Sequence, residues 1–220
     1  MHTKRIKGMI LKIDLEKYFD QVSWLYIHML LTHLGFPLQT INWIMWCITS
    51  ISFSILINGA ATNFFHVERG LHQGCPLSPL LFLLLMEGLS RWIIEEISRG
   101  RLKAIKLLAS CVLTHLLFVD DIILFLNGTL SDTSVIRAIL HLFCTNIGMH
   151  CNNNKSTLTC HGCTPHEIHF AQQRFPFNLT KFEDGLKYLG FFLKPVNYKI
   201  VDWNWLITKI EKRLNNWCHR

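Results

Sequence analysis

The chain alternates apolar runs with polar interruptions, and two of these interruptions are acidic. The apolar run from Met9 to Leu15 is broken by Asp14, which indicates a buried strand that ends at the carboxylate. The run from Thr114 to Leu126 is β-prone and carries Asp120 and Asp121 at its centre. A single strand would send these adjacent side chains to opposite faces, so two short strands joined by an acidic turn are predicted.

Start and stop residues mark the helices. Serine, aspartate and proline favour the first positions of a helix, and glycine favours the position after its end. The predicted helices run from Ser23 to about His33 before Gly35, from Pro37 to about Thr49, from Leu80 to Ser98 with Ser78 as the cap, from Ser131 or Asp132 to about Ile147 before Gly148, and from Trp205 to Trp217.

The remaining apolar segments are short and predict strands. The runs Phe53 to Ile57 and Asn63 to Val67 flank an Asn58-Gly59 turn and predict a hairpin. Further strands are expected at Thr157 to Cys160 and at Lys187 to Leu193, with residues 163–184 as an irregular insertion. The order of elements predicts an α+β fold, in which an antiparallel sheet is covered by helices on one face.

Composition narrows the class of protein. With 220 residues and 50% hydrophobic content, the chain can fill one large core or two small ones, which argues against disorder. Its net charge of +7 favours a polyanionic partner. The basic N-terminus at residues 1–5 is not followed by a signal sequence, and the uncharged apolar run Leu80 to Met86 is shorter than a membrane span. Eight cysteines without a signal sequence indicate reduced thiols in the cytoplasm or nucleus, and no membrane partner is expected.

The acidic residues require compensation, because an unpaired buried charge costs several kcal/mol, on the order of 3–5. Hard divalent ions such as Mg²⁺ bind one or two carboxylates and fill their other positions with water and phosphate. Each aspartate alone is also compatible with an ordinary strand end or turn. Asp14, Asp120 and Asp121 together favour a metal site.

A second motif lies between the two acidic segments. Residues 69–79, RGLHQGCPLSP, form a loop in which two nearby glycines frame Gln73. Glycine allows the backbone to approach a flat ligand closely. A connector rich in glycine and proline is the alternative explanation, but a framed amide favours a binding function.

A zinc site is a separate hypothesis. Cys160 and Cys163 have C-x-x-C spacing, His166 and His169 follow, and Cys151 precedes them. The spacing to the histidines is tighter than in common zinc fingers, so scattered free thiols are the alternative.

These segments, taken in order, resemble the motif series of reverse transcriptases, and most closely that of plant non-LTR (LINE-type) retrotransposons. The resemblance rests on LKIDLEKYFDQV at residues 11–22, RGLHQGCPLSP at 69–79, FVDD at 118–121, Lys155-Ser156 after Gly148, and KYLG at 187–190. Five motifs in the right order are a specific signal where one would be weak. RLNNW at residues 213–217 is similar to the start of the family's thumb.

The resemblance implies a role for each matching residue. Asp14, Asp120 and Asp121 would form the catalytic metal site for two Mg²⁺ ions, with Mn²⁺ as a possible substitute. Lys155 would act on the leaving pyrophosphate, although a solvated loop lysine is an alternative. The remaining matches are expected to contact the incoming nucleotide: Leu15, Phe19, Gln73 and Gly74, with Phe19 excluding a ribose 2′-hydroxyl.

The resemblance also implies the partners and the domain layout. An RNA template, a DNA primer and deoxynucleoside triphosphates are the expected partners, and the oligomeric state is left open. Residues 1–200 would be a palm with partial fingers, shortened at its N-terminus, and residues 201–220 the beginning of a thumb. A catalytically inactive nucleic-acid-binding remnant is the main alternative. An RNA-templated RNA polymerase or a nucleotide cyclase would share the acidic ligands, but the Gln73 loop and Phe19 argue for a reverse transcriptase.

Overall fold

The computed structural model describes residues 7–103, 105–106, 112–194 and 198–218. The basic N-terminal residues 1–5 lie outside these ranges. The chain divides into two compact units, with the division between Leu179 and Thr180.

The described part of the chain contains both strands and helices, and runs of consecutive strands lie between the helices, as in an α+β protein. The strands are β1 (Gly8–Ile13), β2 (Leu15–Glu16), β3 (Ser52–Phe53), β4 (Leu56–Ile57), β5 (Ala60–Ala61), β6 (Phe65–His66), β7 (Ile105–Lys106), β8 (Val112–Leu113), β9 (His115–Phe118), β10 (Asp121–Leu126), β11 (His150–Cys151), β12 (Thr157–His161), β13 (Asn178–Lys181), β14 (Leu186–Tyr188) and β15 (Phe191–Leu193). The helices are α1 (Tyr18–Gln21), α2 (Trp24–His33), α3 (Leu38–Thr49), α4 (Leu77–Ser98), α5 (Leu130–Ile147), α6 (Pro165–Arg174) and α7 (Asn204–Cys218), with 3₁₀ turns at Phe182–Asp184 and Ile200–Trp203.

The main sheet is built around β1. Among the described residues it contains five strands in the order β13-β12-β1-β10-β9. β1 is antiparallel to both β10 and β12, and β10 is antiparallel to β9. Burial alternates along β1, so that Met9, Leu11 and Ile13 face the core. This period of two is the pattern of a sheet with one covered face.

Helices α4 and α5 supply the layer that covers this face. Their apolar side chains belong to the same buried cluster as those of β1 and β10. The buried helical residues of this cluster include Leu81, Phe82, Leu85, Leu89, Ile93, Ile136, Ile139, Leu140, Phe143 and Ile147. The predicted α+β arrangement, a sheet with helices on one face, is confirmed.

Helix α4 is the part of the described chain that is long and apolar enough to cross a membrane by length and composition alone. In the structure Phe82, Leu85 and Leu89 are fully buried in the protein. Packing in the core therefore accounts for the apolar residues on one face of α4, whereas Leu80, Leu83 and Ile94 are exposed.

Several predicted boundaries are confirmed. α2 starts after Ser23, whose hydroxyl accepts a hydrogen bond from the Tyr26 amide, and α3 starts directly after Pro37. The hairpin around Asn58-Gly59 is present, although it is split into the inner pair β4 and β5 and the outer pair β3 and β6.

Other boundaries were wrong. α4 begins at Leu77 rather than Leu80, and Ser78 lies inside its first turn, where its hydroxyl donates to the His72 carbonyl at 2.7 Å. α5 is capped by Thr129, whose hydroxyl accepts from the Asp132 amide, and not by Ser131 or Asp132. In both cases several residues near the helix start are suitable caps, so the sequence alone did not identify which of them is used.

The segment 163–184 is not irregular, as had been expected. It contains α6, and Thr164 and Glu167 form a reciprocal capping box with Pro165 at the first helical position. In the second unit, Lys187 to Leu193 form a hairpin of β14 and β15 rather than one strand. Leu189 and Gly190 turn the chain there with φ values of 49° and 84°.

Gly70 ties the long loop before α4 to the segment after β2. Its amide donates to the Val22 carbonyl at 2.8 Å, and its own carbonyl accepts from the Trp24 indole at 2.7 Å. Its φ is +98°, and an added Cβ would lie 2.7 Å from the Asp20 carbonyl oxygen. Only glycine fits both the conformation and the space.

His115 in β9 is enclosed between hydroxyl groups. Its ring nitrogens lie 2.9 Å from Ser90 Oγ and 2.8 Å from Thr114 Oγ1. Burial lowers the pKa of His115, and the negative charge of Glu87 partly offsets this shift. The neutral imidazole is therefore the form that the fold favours.

We expect Gly70→Ala to lower the free energy of unfolding by about 2–3 kcal/mol, because it combines left-handed strain with a backbone clash. The matched control is Gly74→Ala. Gly74 has a similar φ of +95° but no atoms within 4 Å of an added Cβ, so its loss should be about 1 kcal/mol smaller. Denaturant unfolding measures both, and equal losses would contradict the clash.

We expect acid to destabilise the fold through His115. Because its folded pKa lies below the unfolded value near 6.5, the unfolded chain binds the proton more readily, and stability falls as pH drops from above 6.5 toward the folded pKa. His115→Gln should reduce this fall in unfolding experiments at pH 7.5 and 5.5. His33→Gln, at the exposed end of α2, is the control and should keep the wild-type slope.

Candidate active site

Strand register brings Asp14 and Asp120 to the same end of the sheet. Ile13 pairs with Ile122 across β1 and β10, so the residue that follows β1 lies beside the turn that precedes β10. Asp14 and Asp120 both line one cavity of about 400 Å³. Two carboxylates that are distant in sequence therefore meet at one concave surface.

Most of the other predicted site residues line the same cavity. These are Leu15, Phe19, Gln73, Gly74 and Lys155. The cavity is also lined by residues that sequence reasoning had not singled out, namely Lys17, Tyr18, His72, Ser78 and Pro79. Each of these residues lies within one of the motif segments described above. Its place in the motif could therefore have predicted that it lines the site.

Asp121 is placed differently. It is the first residue of β10, and its carboxylate lies 3.6 Å from the Lys12 ammonium. It is absent from the cavity lining, which Asp120 reaches from the turn. Over the described ranges, no three His, Cys, Asp or Glu side chains gather as a metal-binding group. Asp14 and Asp120 thus offer two carboxylates, which is the number that Mg²⁺ commonly takes when phosphate and water complete its shell.

The two aspartates that line the cavity lie close to each other and to Asp121, and Lys17 and Lys155 line the same cavity. Burial raises the pKa of Asp120, and the neighbouring carboxylates of Asp121 and Asp14 raise it further, while its backbone hydrogen bond and Lys12 act in the opposite sense. Burial also raises the pKa of Tyr18, with a contribution from Asp120. A site where like charges are held together is one that a cation would stabilise.

The turn between β9 and β10 is tight and strained. Phe118 pairs with Asp121, so Val119 and Asp120 alone form the loop of the hairpin. Val119 has a φ of 54°, which is a rare conformation for a β-branched residue. The predicted acidic hairpin is confirmed, with Asp120 in its turn and Asp121 in its second strand.

The loop that carries Lys155 is fastened to Asp14. The Asn152 amide donates to the Asp14 carbonyl at 2.8 Å, and the Asp14 amide donates to Ser156 Oγ at 3.1 Å. The Lys155 amide is held by the Asn152 side chain at 3.2 Å. Lys155 therefore reaches the cavity from a loop whose position depends on the first aspartate.

Aromatic rings form one wall of the cavity. Phe19 lies 4.7 Å from Tyr18 and 5.5 Å from the buried Phe82, measured between ring centroids. Phe82 is fully buried in α4, so the Phe19 ring rests on a fixed support. This wall can limit the size of whatever occupies the space beside Asp14.

The Gln73 loop separates this cavity from a second one of about 470 Å³. Gln73 and His72 line both, and Gln73 Nε2 lies 3.4 Å from Asp20 Oδ1. The His72 ring is stacked on Phe53, with 5.6 Å between centroids. The amide of Gln73 is thus available at the boundary between two concave surfaces.

The zinc hypothesis is not supported. Cys163 Sγ lies 3.5 Å from the Gly8 carbonyl and 3.7 Å from the His161 carbonyl, while His169 pairs with Gln173 along the exposed side of α6. No metal-binding group of His, Cys, Asp or Glu is found in the part of the chain that the structure describes. His166 and His169 lie on α6, which begins after Cys163 with the capping box of Thr164 and Glu167.

Comparison with known proteins agrees with the motif order. The family model described as reverse transcriptase (RNA-dependent DNA polymerase) matches residues 1–193. The Pol polyprotein of the type-1 retrotransposable element R2 from Popillia japonica is 29% identical over 124 residues, covering 55% of this chain and 20% of the polyprotein. An uncharacterized mitochondrial protein of Arabidopsis thaliana is 43% identical over 67 residues, covering 30% of this chain and 55% of that protein.

Solved structures share the fold. Telomerase from Candida albicans, determined with a fragment of telomeric RNA, matches with a TM-score of 0.55 and 14% identity over 69% of this chain and 27% of the telomerase chain. The chain spans about a fifth of the length of the R2 polyprotein that it matches. The matched residues, the palm-like sheet and the motif order lead to one conclusion: the chain belongs to the reverse transcriptase (RNA-dependent DNA polymerase) family, as a domain of the non-LTR retrotransposon type.

Proposed function

We propose that this chain is the polymerase core of a LINE-type retrotransposon enzyme that extends a DNA primer on an RNA template. The observation that carries the proposal is the meeting of Asp14 and Asp120 in one cavity with the Gln73 loop. Four motif segments that are distant in sequence supply groups that phosphoryl transfer needs: the carboxylates of Asp14 and Asp120, the amide of Gln73 and the ammonium of Lys155.

Asp14 and Asp120 are the proposed ligands of two Mg²⁺ ions, with Asp121 in a supporting role. Divalent cations bound there would supply the charge that activates the primer 3′-hydroxyl and stabilises the leaving pyrophosphate. The raised pKa of Asp120 supports this assignment, because its cause includes two neighbouring carboxylates that a cation would neutralise. The pairing of Asp121 with Lys12 supports a weaker role for Asp121.

The nucleotide is proposed to lie against Leu15, Phe19, Gln73 and Gly74. Phe19, held by Phe82, would contact the sugar and leave no space for a 2′-hydroxyl. Gly74 lacks a side chain beside the amide of Gln73, so a base can approach the loop closely. Lys155 would donate to the pyrophosphate as it leaves.

The wider context follows from charge and relatives. A net charge of +7 supports binding to an RNA template and a DNA primer, with deoxynucleoside triphosphates as substrates. Plant origin is supported by the Arabidopsis relative, and a cytoplasmic or nuclear location is proposed from the eight cysteines. Residues 1–200 are proposed as the palm and residues 201–220 as the start of the thumb.

We expect Asp14→Asn and Asp120→Asn each to lower primer extension by about 1,000-fold or more, because each removes a charged metal ligand. Asp121→Asn should cost about tenfold, because Lys12 already neutralises this carboxylate. The measurement is incorporation of deoxynucleotides by this chain on an RNA template with Mg²⁺.

Asp184→Asn, on an exposed 3₁₀ turn, is the matched control and should leave extension unchanged. Template affinity, measured in parallel, should be similar in all variants. Normal extension by Asp120→Asn would overturn the metal assignment. RNA binding without extension by the unmodified protein would favour the inactive, nucleic-acid-binding remnant.

We expect Phe19→Val to reduce discrimination against ribonucleotides by about 100-fold, because the smaller side chain leaves room for the 2′-hydroxyl. Competition between a ribonucleotide and the matching deoxynucleotide measures this ratio. Tyr18→Phe, which keeps the neighbouring ring, should preserve discrimination. A ratio unchanged by Phe19→Val would show that another residue excludes the ribose hydroxyl.

A further inference from the structure

Two cysteine side chains lie close to each other near the candidate site. Cys144 is in the last turn of α5, and Cys151 is in β11; their sulfur atoms are 3.8 Å apart. Both are free thiols. Sulfur atoms in a disulfide are about 2.05 Å apart, so the two sulfur atoms, and with them α5 and β11, must move closer together for the bond to form.

The turn between the two cysteines fixes this arrangement. Gly148 has a φ of +85° and ends α5, and the amides of Gly148 and Met149 both donate to the Cys144 carbonyl, at 2.9 and 2.8 Å. The chain therefore reverses directly after Cys144 and brings Cys151 back beside it. The closeness of the thiols follows from the fold of this turn and does not depend on a flexible segment.

Cys151 is coupled to the first aspartate through the backbone. In the pairing of β11 with β2, Cys151 lies opposite Leu15. The next residue, Asn152, donates its amide to the Asp14 carbonyl at 2.8 Å. A displacement of β11 would therefore reach Asp14 through two adjacent backbone contacts.

We propose that Cys144 and Cys151 form a reversible disulfide under peroxide and that this bond weakens cation binding at Asp14. The Cys151 thiol is oxidised to a sulfenic acid, with hydrogen peroxide reduced to water. The Cys144 sulfur then displaces the hydroxyl group, which leaves as a second water, and the S–S bond forms. Two thiols and one peroxide give one disulfide and two waters, and a dithiol reductant reverses the change.

Cation binding should weaken because the reduced arrangement is the one in which Asp14 and Asp120 line a common cavity. Closing the S–S bond draws β11 toward α5, and β11 is bonded to β2 and Asp14. This second part of the proposal rests on the proposed function, whereas the formation of the disulfide does not.

The chemical test uses the unmodified protein. Trypsin cleavage after Arg137 and Lys155 yields a peptide, residues 138–155, that contains both Cys144 and Cys151. After peroxide and alkylation, this peptide should carry no alkyl group and should be lighter than the reduced peptide by two hydrogen atoms. Dithiothreitol should restore two alkylation sites. Two alkyl groups after peroxide, or irreversible oxidation to sulfinic acid, would overturn the proposal.

The coupling test measures Mn²⁺ binding by calorimetry before and after oxidation. The dissociation constant should rise at least threefold in the wild type and return after reduction. Cys144→Ser, which cannot form the bond, should show no such rise, and Cys47→Ser, at an exposed position in α3, should behave as the wild type. An equal rise in Cys144→Ser, or no rise in the oxidised wild type, would overturn the coupling. Absence of Mn²⁺ binding in the reduced wild type would instead contradict the proposed function and leave the disulfide result intact.

Discussion

The antiparallel pairing of β1 with β10 is the constraint on which the site depends. Ile13 opposite Ile122 is the register that buries Leu11 and Leu124 on one face and leaves Asp14 beside the turn that carries Asp120. Since side chains alternate along a strand, a shift by one residue would expose the core face and separate the carboxylates. The stability of the core and the geometry of the site are thus set by the same pairing, and burial of the apolar face protects the site from slippage.

Two further sets of hydrogen bonds join the Gln73 and Lys155 loops to the segment that follows β1. Gly70 holds the Gln73 loop to residues 20–24, and Asn152 and Ser156 hold the Lys155 loop to Asp14. Each set contains a backbone hydrogen bond, supplemented by one from the Trp24 indole to Gly70 and by one from the Asp14 amide to the Ser156 hydroxyl. The segment that starts at Asp14 is therefore the common anchor, and the loops of Gln73 and Lys155 are positioned relative to it.

Sequence alone predicted those parts of the fold that depend on local chemistry. Ser23, Pro37 and Gly148 marked helix ends because capping and backbone restriction act within a few residues. α6 was not predicted, because the polar composition of the segment suggested an irregular structure. Thr164, Pro165 and Glu167 nevertheless have the sequence pattern of a helix start. The Leu189-Gly190 turn was missed because the apolar residues around it suggested one continuous strand.

Most of the predicted site residues line one cavity, although Asp121 does not, and the internal geometry of this cavity was not predicted. Motif order brought Asp14, Gln73, Asp120 and Lys155 into one hypothesis, and all of them line the same cavity. The pairing of Asp121 with Lys12 could not be foreseen, because it depends on which strands are neighbours and in which register. The same is true of the 3.8 Å between Cys144 and Cys151, which follows from a chain reversal rather than from their spacing.

The left-handed conformation of Val119 bears on the order in which this molecule is assembled. A β-branched residue in that region carries a conformational penalty of roughly 1–2 kcal/mol, and a two-stranded hairpin in water has little stability from which to offset it. The hairpin of β9 and β10 is therefore expected to be unstable unless β1 is paired with β10. The shape of the acidic turn therefore depends on the pairing of β10 with β1 and not on the turn's own sequence.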